Sequence, residues 1–446
     1  MTGAPPVPRL YFLIEETSRE LASRVLLCTI AAERGLSSAI IPQWAIWEQF
    51  DRLPPGIVIF KGSNTLQTRH MFAAHKAGHL VAAIEEEALG LSLDTQIQRL
   101  FDPRIIQACD LILAQGNHLR DVIVSKDPAL ADRVIVTGNP RIDLLRPPFS
   151  AKIMAQAREV QRVHGDYVLI NSNIGSVNPR VEDTYFDFIA CLQVGLIRAN
   201  NTGDRADFMA WCGWERDNLD LLARLIGTYL ERPDYPKLII RPHPSENVAK
   251  WREAYRDETG VSIIQEGDHL PWTAGARLLI HTGCTTGTEA VLLGTPALSL
   301  QGGTSRWHNV STSNHVNPTA NTVDQAISML SCQLSGETDL GLLSPEKWAE
   351  LERYVLPWPN DLAANRVIQA LCDLTTRREL PEGRFAEIQS LRDCDYQVAE
   401  EKISSDSFTP DTVENLARGF ATDLGYHRWP VVQTIGTTMI IISPGW

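Results

Sequence analysis

His281-Thr-Gly-Cys-Thr-Thr-Gly-Thr-Glu-Ala290 places small and hydroxylated residues between an apolar strand, Ala276-Arg-Leu-Leu-Ile280, and an apolar helix. The helix is expected to begin near Thr286 and to end at Gly294-Thr-Pro296, since glycine and proline close helices. Backbone N–H groups at a helix start have no partner within the helix and carry the positive end of its dipole, so the turn suits a phosphate. Thr282, Thr285, Thr286 and Thr288 add hydroxyls, and Gly283 and Gly287 leave the backbone open. Ordinary N-capping by Thr285 or Thr286 would account for the same hydroxyls without any ligand.

Some forty residues upstream, Lys237-Leu-Ile-Ile-Arg241 runs into Pro242-His243-Pro244-Ser245-Glu246. Ligands of open α/β sheets bind in the crevice outside the carboxyl ends of the strands, so these two strand ends are expected to serve one ligand. Arg241 offers a planar donor fork, and His243, held between prolines, offers an orientable donor with little chain entropy left to lose. A buried histidine capping a strand end is the plainer alternative, but the two turns together favour a nucleotide.

The chain of 446 residues is too long for one core, and usual domain sizes make two domains plus an extension the natural division. Hydrophobic residues make up 44% and charged ones 21%, which is ordinary for a globular protein and excludes wholesale disorder. A net charge of −13 with no long Lys/Arg cluster argues against a nucleic-acid partner. The eight cysteines show no CxxC or zinc spacing and read as reduced core residues of a cytoplasmic protein. The first residues lack a basic segment followed by a long apolar one, so no signal peptide is expected. Apolar runs such as Val168-Leu-Ile170 and Met439-Ile-Ile-Ile442 are far short of the ~20 residues that span a bilayer. Membrane contact, at the inner face, would be peripheral.

Leu10-Tyr-Phe-Leu-Ile14 reads as a first strand, and Ser18 to Arg34 as a helix ended by Gly35. Strand-like runs follow at Ser38–Ile41, Gly56–Phe60, His79–Ile84, Asp110–Ala114 and Arg133–Thr137, mostly separated by helical segments. That alternation implies a doubly wound parallel sheet within residues 1–150. A second series, Tyr167–Ile170, Leu238–Ile240, Val261–Ile264, Leu278–Ile280 and Ala297–Leu300, implies another within residues 151–375. Pro147-Pro148 and a polar helix from Ala151 to His164 would join them. The expected fold is α/β, with two facing Rossmann-like domains in the GT-B architecture. Residues 376–446 form an extension of unassigned role, with a charged helix-prone stretch from Phe385 to Ile403 and a β-prone end from Thr437 to Ser443.

Six pieces in this order resemble one family: Ser18-Arg-Glu-Leu21, Glu85-Glu-Glu87, Gly138-Asn-Pro-Arg-Ile-Asp-Leu-Leu145, Ile170-Asn-Ser-Asn173, Arg241-Pro-His-Pro-Ser-Glu246 and His281 to Ala290. The family is that of bacterial surface carbohydrate (polysaccharide) biosynthesis proteins, related to retaining β-Kdo transferases with a sialyltransferase-like GT-B fold. The resemblance covers roughly residues 10–375. It implies a cytoplasmic glycosyltransferase that moves a sugar acid, Kdo-like or another ulosonic acid, from a CMP-activated donor to a glycan acceptor, with the His-Pro and Thr-rich turns around the CMP phosphate. The family pattern has Asp-Glu-Glu-Gly where this chain has Glu85-Glu86-Glu87-Ala88, so the role of position 85 is the least secure and an easy left-handed turn at 88 is lost.

Sugar transfer needs a stabilised leaving phosphate and a carboxylate acting as general base or nucleophile. Glu86, with Glu85 and Glu87, follows an apolar run and is the expected catalytic group, although three adjacent acids on a turn also describe a solvated surface. Crowded like charges would raise one pKa. His118 is a candidate acceptor-side catalytic group, and Arg141 would reach the sugar carboxylate or pair with Asp143. Asn171 and Asn173 offer neutral donors to the phosphate side, and Glu289 would accept from ribose hydroxyls or compensate the helix dipole. No DxD pair stands at a strand end, so neither metal nor cofactor is expected beyond the donor substrate. Two alternatives stand beside transfer: a sugar-nucleotide epimerase of the same shape, which would need several acid/base groups in one cleft, and a non-catalytic carbohydrate-assembly protein.

Overall fold

A computed structural model describes residues 9–86, 88–181, 186–193, 195–356, 360–378, 403, 408–436 and 438–445. Glu87 and most of the Phe385–Ile403 stretch therefore lie outside the described residues. The chain divides into two compact units, and both are α/β.

The first unit takes residues 1–89, 100–144 and 355–446. Its sheet holds β1 (Leu10–Ile14), β2 (Ser38–Pro42), β3 (Ile57–Phe60), β4 (Leu80–Ile84), β5 (Leu111–Ala114) and β6 (Val134–Val136), all parallel, in the order 2-1-3-4-5-6. Most of these strands are buried on both faces, as parallel strands between helical layers must be, which is why they read as continuous apolar runs. The strand order reverses between β1 and β3, and the loops after those strands begin with Glu15 and Lys61.

The second unit takes residues 90–99 and 145–354. Its parallel sheet holds β7 (Tyr167–Asn171), β8 (Lys237–Arg241), β9 (Val261–Ile263), β10 (Leu278–His281), β11 (Ala297–Leu300) and β12 (Thr319–Ala320), in the order 9-8-7-10-11-12. In chain order this is 3-2-1-4-5-6, the doubly wound dinucleotide-fold arrangement, with its switch point between β7 and β10. Val168 and Ile170 pack into one core with the long Thr202–Leu230 helix, and Tyr167 and Leu169 into another with Ala290. Asn171 continues the second series, so it lies on the sheet face that carries the Thr285–Leu293 helix.

Two boundaries differ from the sequence reading. The second unit ends at Tyr354, not near 375, and the described residues beyond it belong to the first unit rather than to a separate extension. β13 (Val431–Ile435) and β14 (Met439–Ser443) form a hairpin, and β14 pairs antiparallel with β2, extending the first sheet. The helices Ala363–Arg377 and Pro410–Asp423 pack on the Thr17–Glu33 helix of the same unit. No helix of the described residues is long and apolar enough to cross a membrane.

Candidate functional site

In the second unit the loops after β7, β8 and β10 are tied to one another by buried polar groups. Glu246 is the hub: its carboxylate accepts from Ser172 Oγ (2.9 Å), the Ile174 and His243 N–H groups (3.2 Å each) and Trp251 Nε1 (2.8 Å). Burial raises its pKa despite these donors. Asn173, expected as a free donor, instead bridges to the third loop, giving its N–H to Thr282 Oγ1 and its amide to the Gly283 carbonyl, each at 3.0 Å. Gly283 holds φ +89°, where glycine is favoured, and its N–H donates to His281 Nδ1 at 3.1 Å. Its Nε2 lies 2.8 Å from Asn317 Nδ2. Burial pushes this histidine down to about 3.

The Thr285–Leu293 helix starts one residue earlier than expected, with Cys284 as N-cap and no side-chain cap, so neither Thr285 nor Thr286 does the capping considered above. Cys284 Sγ meets Thr286 Oγ1 at 2.6 Å. A side chain at Gly287 would collide with the His281 ring and the Asn317 amide, so only glycine lets the first turn approach β10 this closely. Thr285 packs against Gly90, whose φ of +83° supplies the left-handed turn missing at Ala88. Two polar groups here have no hydrogen-bond partner among the described residues: both amide atoms of Asn171, 5% exposed, and Thr288 Oγ1, 3% exposed. Buried polar atoms of a folded protein are almost always satisfied, so each such exception needs an explanation. The unpartnered Asn171 and the N-terminus of the Thr285–Leu293 helix both stand at the topological switch point, the place where folds of this class can take an anion.

Arg241 does not lend its fork to that place. Its guanidinium stacks on Trp272 at 5.3 Å and donates to the carbonyls of Gln265, Glu266 and Gly267 at 3.2, 3.0 and 2.7 Å, while burial pulls its pKa down to about 10. It fastens the loop that leads to His269, and His269 Nε2 lies 2.7 Å from Glu289 Oε2, the carboxylate expected to serve ribose. His243 is half-buried, its Nδ1 accepting from the N–H of Ser245 and lying 2.7 Å from Ser245 Oγ, and Pro244 and Ser245 are exposed.

In the first unit a charged cluster lies at the carboxyl ends of β1, β3, β4 and β6. Lys61 pairs with Glu15 across the switch point and approaches Glu20 at 3.5 Å, and Ser63 Oγ donates to Glu85. Glu86 meets Arg24 at 3.1 Å, Arg141 at 3.5 Å and Asn139 Nδ2 at 3.4 Å, and Arg24 is only 1% exposed. Burial would raise the Glu86 carboxyl, but Arg24 foremost, then Arg141, Asn139 and Lys61, together hold it below the ordinary carboxylate range. Glu86 therefore does not carry the raised pKa expected of one acid in the cluster, and the alternative of a solvated acid turn does not hold for Glu85 and Glu86: both are buried, and cations rather than carboxylates surround Glu86. Arg141 pairs with Glu86, and Asp143 accepts from the N–H groups of Ala363 and Ala364 at the start of a helix. His118 lies buried in the first turn of the Asn117–Lys126 helix. Lys61, Glu20 and Arg24 belong to this cluster and are not among the residues singled out from sequence, although Lys61 ends an apolar strand just as Glu85 does. Among the described residues no group of three or more His, Cys, Asp or Glu is placed to hold a metal ion.

Two Rossmann-like sheets place the protein among α/β proteins of the GT-B type. The fold is similar to that of the Methanocaldococcus jannaschii UDP-GlcNAc 2-epimerase solved in complex with UDP-GlcNAc and UDP, at TM-score 0.50 and 11% identity, covering 82% of this chain and 99% of that one. It is equally similar to a second UDP-N-acetylglucosamine 2-epimerase, at TM-score 0.50 and 14% identity over 85% and 100% of the two chains. No family model matches the sequence, and no curated protein matches it.

Proposed function

We propose that the protein is an enzyme acting on a nucleotide-activated sugar, with the phosphate held at the switch point of the second sheet by Asn171, Thr288 and the N–H groups that open the Thr285–Leu293 helix. The observation that carries this reading is the buried, unpartnered amide of Asn171, on the sheet face that carries the Thr285–Leu293 helix. Glu289, steadied by His269, is the acceptor for ribose hydroxyls, and His243 is a further donor from the neighbouring loop.

For the chemistry we favour rearrangement of the sugar, as in an epimerase, over transfer of a sugar acid from CMP. Inverting a ring carbon needs a base that takes a proton and an acid that returns one, so several ionisable groups must stand together. Within the first unit, Glu15, Glu20, Lys61 and Glu85 stand together as ionisable groups of that kind. The fold shared with UDP-GlcNAc 2-epimerases supports the same preference.

Calorimetry with UDP and CMP, followed by NMR of the protein incubated with UDP-GlcNAc, tests the proposal. UDP should bind, and Asn171→Ala should weaken it on the order of 10-fold, the loss of one good hydrogen bond to a charged ligand. The NMR should show a changed sugar stereocentre or released UDP. Binding of CMP alone would return the reading to sugar-acid transfer, and unchanged UDP affinity in the variant would remove Asn171 from the site.

A further inference from the structure

Between β7 and β8 the chain carries a long excursion that ends in the Thr202–Leu230 helix, and Trp211, Trp214 and Glu215 lie on it. Trp211, Trp214 and Trp307 form one aromatic cluster: the ring centroid of Trp211 lies 4.9 Å from that of Trp214 and 5.2 Å from that of Trp307. Trp214 and Trp307 are buried, whereas Trp211 is only half-buried. The Trp211 ring is nonetheless fixed. Its Nε1 donates to Glu215 Oε1 at 2.6 Å and Ser176 Oγ at 3.1 Å, and the buried Glu215 carboxylate also accepts the Ser176 N–H at 2.8 Å. Ser176 belongs to the loop after β7, five residues beyond Asn171, and the Trp214 ring edge closes on the Gly283 position, where a Cβ would lie 3.3 Å away. The cluster therefore borders both loops that flank the candidate phosphate site.

A tryptophan with its N–H satisfied inside the protein leaves only the apolar ring for an outside partner. The indole N–H of the adjoining Trp307, 2% exposed, has no hydrogen-bond partner among the described residues and is buried within the same cluster. A rigid aromatic face matches a pyranose, whose ring C–H groups form an apolar face. We propose that Trp211 is the platform on which a pyranose ring packs next to the Asn171 site, and so a determinant of sugar specificity. This inference rests on the nucleotide-sugar reading above.

Calorimetry on wild type, Trp211→Ala and Trp211→Phe with UDP, UDP-GlcNAc and chitotriose tests it. Trp211→Ala should leave UDP affinity unchanged and weaken a pyranose ligand by about 10-fold, the loss of one aromatic contact and its buried area. Trp211→Phe, which keeps a ring, should recover most of that loss, and this recovery excludes a mere folding defect. Weakening of UDP-GlcNAc assigns the ring to the donor sugar, and weakening of chitotriose alone assigns it to an acceptor. Equal weakening of UDP and UDP-GlcNAc would make Trp211 a base contact and overturn the inference, as would unchanged binding of all three ligands. Wild type that binds no nucleotide would overturn the nucleotide reading and this inference with it.

Discussion

Asn171 and Asn173 stand two residues apart and are indistinguishable as sequence, yet their environments differ completely. Asn173 spends its amide on the Gly283 carbonyl, while Asn171 has no partner among the described residues. The same contrast separates the acids. Glu86 faces Arg24 and Arg141 in a buried site, so Glu86→Gln would leave the buried Arg24 without its countercharge. That variant should lose about 3–5 kcal/mol of stability, measured by urea unfolding. Wild-type stability with turnover lowered ~100-fold would instead restore the directly catalytic role expected from sequence. His281 makes a pH prediction. It stays neutral in the fold down to about pH 3, but in the unfolded chain it takes up a proton below its ordinary value near 6.5. Its contribution is complete above pH 6.5 and is lost as pH falls, by about 1.4 kcal/mol per unit until the folded value is reached. Urea midpoints of wild type and His281→Asn between pH 7 and 4.5 should show a shallower slope in the variant, and parallel slopes would count against a neutral buried ring.

At the scale of elements, the apolar runs announced nearly every parallel strand, because a strand covered on both faces has no polar alternation to confuse it. The C-terminal hairpin was harder. Thr437–Ser443 reads as β-prone, but only long-range pairing decides that Met439–Ser443 lies against β2, with Ile441 opposite Ala39 and Ile440 opposite Ile40. Ile441 is fully buried, so Ile441→Ala should cost about 2–5 kcal/mol, as expected for a core position. A stability change near zero in chemical denaturation would show the hairpin to be dispensable to the first unit.

For the whole molecule, the first unit is assembled from three stretches of chain, 1–89, 100–144 and 355–446, while residues 90–99 belong to the second. A fragment of residues 1–150 lacks β14 and the two C-terminal helices that cover the Thr17–Glu33 helix, and Asp143 has no Ala363 and Ala364 N–H groups to accept. Such a fragment should show no cooperative urea transition. A sharp transition with a slope appropriate to its size would mean that the continuous N-terminal stretch is a domain by itself.

The sequence alone determined what depends on near neighbours: the alternation of strands and helices, the doubly wound class of both units, and the hydroxyl-rich turn at the start of the Thr285–Leu293 helix. Strand periodicity, glycine stops and helix-end chemistry act within a few residues, so they are legible along the chain. Tertiary structure decided the partners. It turned Arg241 toward the carbonyls of residues 265–267, set Asp143 on a helix start more than two hundred residues away, paired Glu86 with Arg24, and left Asn171 without a bond. A buried charge takes whichever counterion the fold brings within a few ångströms, and that meeting depends on strand order and helix packing, which no local stretch of residues encodes.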